Sequence, residues 1–148
     1  MKTRHNKAPE RIAEAQVKVR YAETDQMGVA YYANYFVWFE VGRSQYCNDS
    51  GFSYRDLERE NALFLIVAEA NCRYRMPARY EDHLVIRTSI CELSKRTVRF
   101  EYTIERSDGA LLATGQTLHV LITRDGRPSS FPEKYLSLLR GQHRDEAG

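Results

Sequence analysis

The chain has 148 residues, 43% of them apolar and 28% charged, with a formal net charge of +2. Those proportions suit one globular domain with a sizeable core; they exclude a disordered chain and supply too little positive charge to argue for a nucleic-acid partner. No apolar run reaches the length of a bilayer crossing, and Lys2, Arg4, His5 and Lys7 lead into no hydrophobic stretch, so the chain reads as cytoplasmic, with neither signal peptide nor membrane insertion.

The first fifteen residues are polar, carry Pro9 and read as a loose tail, which leaves one domain over 16–141 and a frayed end over 142–148. From Gln16, Val17, Val19 and Tyr21 alternate with Lys18 and Arg20, the pattern of a strand with one buried face. Helical spacing takes over after Gly28. Tyr32, Tyr35, Phe36, Phe39 and Tyr46 make one stripe, while Val37, Trp38 and Val41 make most of the other side apolar, so this helix is expected to be wrapped nearly all round. Asp49-Ser50-Gly51 stops it, and Ser53 caps a short helix ending near Glu60. Strands are then expected over Leu63–Arg75, Leu84–Leu93, Thr97–Arg106 and Ala110–Thr123, with Asp108-Gly109 as a hairpin turn and Gly115 marking a bulge or bend. After the turn Arg124-Asp125-Gly126-Arg127, Pro132 opens a closing helix to Arg140. One long helix and an antiparallel sheet curled round it make a two-layer α+β domain.

The chemistry-bearing residues are few. Cys47, Cys72 and Cys91 form no C-x-x-C pair and read as reduced thiols buried in the core, and His5, His83, His119 and His143 show no metal-ligand spacing. Asp25 ends the first strand, just before a turn at Gly28 and the long helix. That order aims a carboxylate at the unpaired N–H groups of a helix start, a pairing suited to cleaving an acyl bond. The plainer alternative makes Asp25 a turn or cap residue. Glu23 is expected on the solvent face. Asn34 is placed to hydrogen-bond a substrate or hold Asp25, with an ordinary helix-start contact as the alternative. Glu40 and Arg43 read as a structural ion pair, and the aromatic set that includes Tyr31 and Tyr35 as mostly core with some acyl-pocket lining.

The segment YAETDQMGVAYYANYFVWFEVGR, from Tyr21 to Arg43, resembles the hotdog-fold acyl-CoA thioesterases of the 4-hydroxybenzoyl-CoA thioesterase type, including the Tol-Pal-associated bacterial enzymes. RYRMPARYEDHL, with Pro77, Ala78 and Asp82, resembles the family's later connection, and the likeness runs from about Ala15 to Tyr135. It implies a five-stranded antiparallel sheet round a central helix, and homodimers joined edge to edge, often paired into homotetramers with sites at the subunit interface. It also implies hydrolysis of an acyl-CoA to free acid and coenzyme A, without metal or redox cofactor. By position, Asp25 becomes the catalytic carboxylate, attacking directly or activating water, and the Tyr32 backbone N–H polarises the thioester carbonyl. Some relatives place a histidine where Tyr32 stands, so no assisting imidazole is expected. Gly28, Tyr31, Asn34 and Tyr35 become expected substrate contacts. Coenzyme A carries phosphates, for which Arg75, Arg79, Lys95 and Arg96 are the candidates, with Arg73 beside them. Two other readings stay open: a hydratase or dehydratase of acyl thioesters, and a non-catalytic acyl-CoA-binding protein.

Overall fold

The computed structural model describes residues 11–141, so the end segments 1–10 and 142–148 lie outside the described residues. Strand β1 spans Ala13–Lys18 and therefore starts three residues before Gln16: Ala13 and Ala15 already alternate inward with exposed Glu14 and Gln16. A 3-10 turn over Tyr21–Glu23 follows, then helix α1 (Asn34–Ser50), α2 (Tyr54–Asn61), and strands β2 (Leu63–Tyr74), β3 (His83–Leu93), β4 (Thr97–Arg106) and β5 (Leu111–Thr123), closed by α3 (Glu133–Arg140). Gly51 ends α1 in the left-handed region, at φ 115°, and Ser53 caps α2 by accepting from the Asp56 N–H while its own N–H donates to the Asp56 carboxylate.

All five strands form one antiparallel sheet in the order β1-β3-β4-β5-β2. Strands β3, β4 and β5 are joined by hairpins, but β2 lies beyond β5 at the edge. Its link to β3 therefore runs across the end of the sheet, a span of about 14 Å at the usual strand spacing. The loop from β1 to α1 leaves at that same end, since Lys18 pairs with His83. The two connections meet there. This meeting builds the site described below.

Helix α1 lies on the inner face, with Tyr35, Trp38, Phe39, Gly42, Tyr46 and Cys47 buried. Opposite them, the even residues Val98 to Ile104 of β4 point inward and the odd ones outward, as the alternation requires. Phe39 stacks on Tyr102 with ring centroids 4.3 Å apart. Gly42 permits the close packing: a Cβ there would collide with Thr88 Oγ1 and stand 2.7 Å from Ile86. Gly115 serves likewise, since a Cβ would sit 2.5 Å from the Asn71 carbonyl and from the Phe39 ring. It marks no bulge. Pairing is in register through Gly115, and the β2–β5 shift falls between Val67 and Glu69 instead.

Two expectations about α1 need correction. The helix is wrapped on one side alone, because Val37 and Val41 remain 49% and 38% exposed. Glu40 and Arg43 form no ion pair among the described residues; Arg43 turns inward and donates to the Tyr102 hydroxyl at 3.4 Å. The cysteines also divide. Cys47 is buried, which pushes its thiol up to about 12, whereas Cys72 and Cys91 are only partly buried.

From Tyr102 a short polar chain runs through the core: its hydroxyl meets Thr117 Oγ1 at 2.5 Å, which in turn meets His119 Nε2 at 2.8 Å. His119 is 1% exposed and its Nδ1 has no partner among the described residues. Burial, reinforced by the Arg43 charge, pulls its pKa down to about 3. The folded state thus holds a neutral imidazole, whereas the unfolded chain protonates near pH 6.5. Stability from this group is complete above that pH and is lost progressively toward pH 3. Between pH 7 and pH 5 the loss comes to about 2 kcal/mol. Chemical denaturation of wild type and His119→Gln at both pH values should show a smaller acid loss in the variant; equal losses would refute this origin.

Candidate active site

Asp25 stands at the corner of a miniature hairpin. Thr24 bridges Ala30, the Asp25 N–H donates to the Val29 carbonyl at 2.9 Å, and the Gly28 N–H donates to the Asp25 carbonyl at 3.0 Å. Gly28 closes this turn at φ 81°, a conformation that suits a residue without Cβ. The hairpin is held from behind by the β2–β3 connection. Ala30 N–H donates to the Ala78 carbonyl at 2.7 Å, Val29 bridges Arg79, and the Ala78 N–H donates to the Tyr35 hydroxyl at 3.1 Å.

The Asp25 carboxylate is exposed, and one oxygen accepts from the Met27 N–H at 2.8 Å. It is a turn residue, as the plainer alternative had it. The bond engages Oδ1 and leaves Oδ2 without a partner among the described residues. Turn geometry and a free acid oxygen coexist.

Helix α1 starts at Asn34, two residues after Tyr32, because Val29 and Ala30 are committed to bridges. Its first turn is wound tightly, with i to i+3 bonds from Asn34 to Tyr31, Tyr35 to Tyr32 and Phe36 to Ala33. The N–H groups of Tyr32 and Ala33 find no acceptor among the described residues. They are the orphan donors of this helix start.

Asn34 has a definite partner: its Nδ2 donates to the Glu23 carbonyl at 2.8 Å, which also accepts from the Tyr31 N–H. The side chain ties the 3-10 turn to the start of the helix, and the partner it holds is not Asp25. Glu23 itself is only 7% exposed, against the expectation of a solvent face; its carboxylate accepts from the Arg20 backbone N–H at 2.8 Å and from the Arg20 guanidinium at 3.3 Å. Tyr35 is likewise no open contact: it is 3% exposed, and burial raises its phenol above the ordinary value.

The Asp25 hairpin, the β2–β3 connection bridged to it and the end of β2 leave a collar of apolar side chains uncovered. Tyr21, Met27, Tyr31, Tyr32, Tyr74, Met76 and Tyr80 are all exposed, Met27 to 81% and Tyr32 to 60%. Tyr21 packs edge-on against Tyr80, and Tyr31 lies 4.8 Å from Tyr32. A patch of this kind marks a surface that binds something. Tyr74 belongs to it and was not expected there; it comes from edge strand β2, and its hydroxyl donates to the Tyr32 carbonyl at 3.0 Å. No spacing in the sequence joins residues 32 and 74.

The basic candidates separate. Arg75 and Arg79 are exposed on the connection beside the hairpin. Lys95 and Arg96 occupy the β3–β4 turn, where their carbonyls accept from Phe131 and Leu121. That turn is at the opposite end of β4, about 30 Å away at the usual rise per residue. In a single chain, Lys95 and Arg96 do not join the site. Among the described residues no group of three His, Cys, Asp or Glu side chains gathers as a metal site, and no helix is long and apolar enough to cross a membrane.

Comparison with known proteins gives a consistent result. Residues 19–139 match the family described as the thioesterase-like superfamily. YneP of Bacillus subtilis strain 168 is 34% identical over 125 residues, covering 84% of this chain and 90% of that protein. The acyl-CoA thioesterase YbgC of Haemophilus influenzae is 30% identical over 120 residues, covering 80% and 87% respectively. The DHNA-CoA thioesterase structure from Staphylococcus aureus superposes with a TM-score of 0.83 at 31% identity, covering 93% of this chain and 95% of that one.

The clamp from Asn34 to Glu23 carries its own expectation. Asn34→Ala should lower stability by about 1 kcal/mol, the usual worth of one such bond, read as a fall in thermal midpoint. An unchanged midpoint would show that the Tyr31 N–H alone holds the turn.

Proposed function

Because the chain belongs to the thioesterase-like superfamily, we propose that the Asp25 hairpin is the reaction centre of its thioester hydrolysis. The protein is an acyl-CoA thioesterase of the hotdog fold, releasing a free acid and coenzyme A. One observation carries the assignment of the centre: the segment from Asp25 to Ala33 holds an exposed carboxylate with a free oxygen, the unengaged Tyr32 and Ala33 N–H groups, and the exposed Met27, Tyr31 and Tyr32 of the collar.

The chemistry follows from these groups. As water or carboxylate attacks the thioester carbon, negative charge builds on the carbonyl oxygen, and amide donors at a helix start stabilise it without reorganising. Asp25 supplies the attacking oxygen, either its own Oδ2, giving an anhydride that water then opens, or that of a water it deprotonates. Coenzyme A leaves as its thiolate and takes up a proton, from the protonated Asp25 in the water route and from solvent water in the anhydride route. Its phosphates fit Arg75 and Arg79, the cations that border the hairpin, and the acyl group fits against the exposed tyrosines. Hydrolysis by these groups calls for no metal or redox cofactor, and coenzyme A enters as part of the substrate. A cytoplasmic setting supplies that substrate.

The working unit in this reading is at least a homodimer. Strand β2 is an open edge with Ile66 and Val67 exposed, continuous with Tyr74 of the collar. An unpaired apolar edge of that length invites a second sheet. A second copy pairing there would cover the Tyr74 side of the collar.

Two measurements test this. Over a panel of acetyl-, butyryl-, hexanoyl- and benzoyl-CoA, Asp25→Asn should reduce thiol release at least about 100-fold, in line with loss of an essential acid or nucleophile, with circular dichroism unchanged. Near-normal turnover would remove Asp25 from the mechanism, and calorimetric binding without turnover by wild type would favour a pure binding protein. Light scattering should give a dimer or tetramer mass for wild type and a monomer for Val67→Arg; a monomeric wild type would refute the edge-pairing proposal.

A further inference from the structure

We infer that Tyr74 is a positioning residue of the thioesterase site, its hydroxyl holding the Tyr32 backbone in the orientation that presents its amide donors; this rests on the thioester-hydrolysis reading above. Tyr32 lies outside α1, so regular helical bonds do not fix it. Its orientation depends on the two peptide planes that flank it. A trans peptide is rigid, so whatever holds its carbonyl also aims its N–H in the opposite direction.

The first plane joins the Tyr31 carbonyl to the Tyr32 N–H, and it is held by the Asn34 N–H bonding to Tyr31 at 2.9 Å. The second joins the Tyr32 carbonyl to the Ala33 N–H. Within the helix that carbonyl receives only a long bond, 3.3 Å from the Tyr35 N–H. The Tyr74 hydroxyl supplies a shorter one at 3.0 Å, from a different element of the fold. With both planes pinned, φ and ψ of Tyr32 are set, and the Tyr32 and Ala33 N–H groups stay directed away from the two bonded carbonyls.

Tyr74 is itself well anchored. Its ring meets Tyr35 edge-on at 4.9 Å and Tyr32 at 6.4 Å, and Tyr35 is in turn bonded to the Ala78 N–H. The Tyr32 backbone is thereby referenced to β2 and, through Tyr35, to the buried Ala78 of the connection, instead of to the first turn alone. Such a support matters in catalysis because an oxyanion donor displaced by an ångström loses most of its effect.

Tyr74→Phe removes the hydroxyl and keeps the ring, and at 45% exposure the site tolerates the change. With whichever panel ester wild type turns over fastest, kcat should fall about tenfold, part of the loss expected for removing a donor outright. KM should stay within about twofold, and amide hydrogen exchange at residues 32–35 should quicken while that of 46–50 does not. Unchanged kcat and exchange would overturn the proposal, as would a raised KM with kcat intact, which would make Tyr74 a substrate contact. Asp25→Asn assayed in parallel separates the levels. If it is inactive while Tyr74→Phe is normal, the Tyr74 role alone fails; if it is active, the reading beneath it fails.

Discussion

The site depends on one topological constraint: β2 must reach β3 across the end of the sheet from which the β1–α1 loop also departs. Two irregular segments crossing at one place would leave backbone groups unpaired, and here they pair with each other. Ala30 donates to Ala78, Val29 bridges Arg79, and Ala78 donates to the buried Tyr35 hydroxyl. Ala78, at this junction, is fully buried. The loop carrying Asp25 is thus as firmly referenced to the core as a strand would be, which is what a reaction centre built on a loop requires.

The regular parts of this fold were legible because their signals are local. Alternation along Val98 to Ile104, the Ser53 cap and the Gly51 stop each depend on neighbours within a few residues, and each stands where expected. The Asp25 turn was legible for the same reason. What failed was long-range or competitive. Glu23 reads as a surface acid until the 3-10 turn bends it back onto Arg20. The start of α1 moved to Asn34 because bridges to Thr24 and Arg79 outcompeted helical bonding at Val29 and Ala30. The separation of Lys95 and Arg96 from Arg75 and Arg79 within one chain was equally invisible in sequence, since only the strand order places the two pairs at opposite ends of the sheet.

Gly115 shows how a correct residue can carry the wrong reason. A glycine in a strand signals either a kink or a close approach, and pattern alone does not separate these. In this sheet the pairing runs straight through it, and the missing side chain makes room for the Phe39 ring of α1. The same closeness lets Phe39 stack on Tyr102 and brings Arg43 over the buried chain to His119. A neutral histidine beneath α1 is therefore a consequence of tight helix–sheet packing.

In the proposed reading, the collar of exposed tyrosines and methionines would bring assembly and catalysis onto one surface. Left in water, such a patch invites nonspecific association, so its persistence implies occupants that cover it. A substrate acyl group is too small to cover Tyr21 and Tyr80 on one flank and Tyr74 and Ile66 on the other. In the proposed dimer a second sheet along β2 would cover the latter flank and would leave the former open beside Arg79, where a phosphate-bearing tail could lie. In that arrangement association itself would exclude water from the Asp25 turn. On this logic the electrostatic effect of the helix-start amides is weak in the isolated chain and reaches its strength when a neighbour lowers the local dielectric.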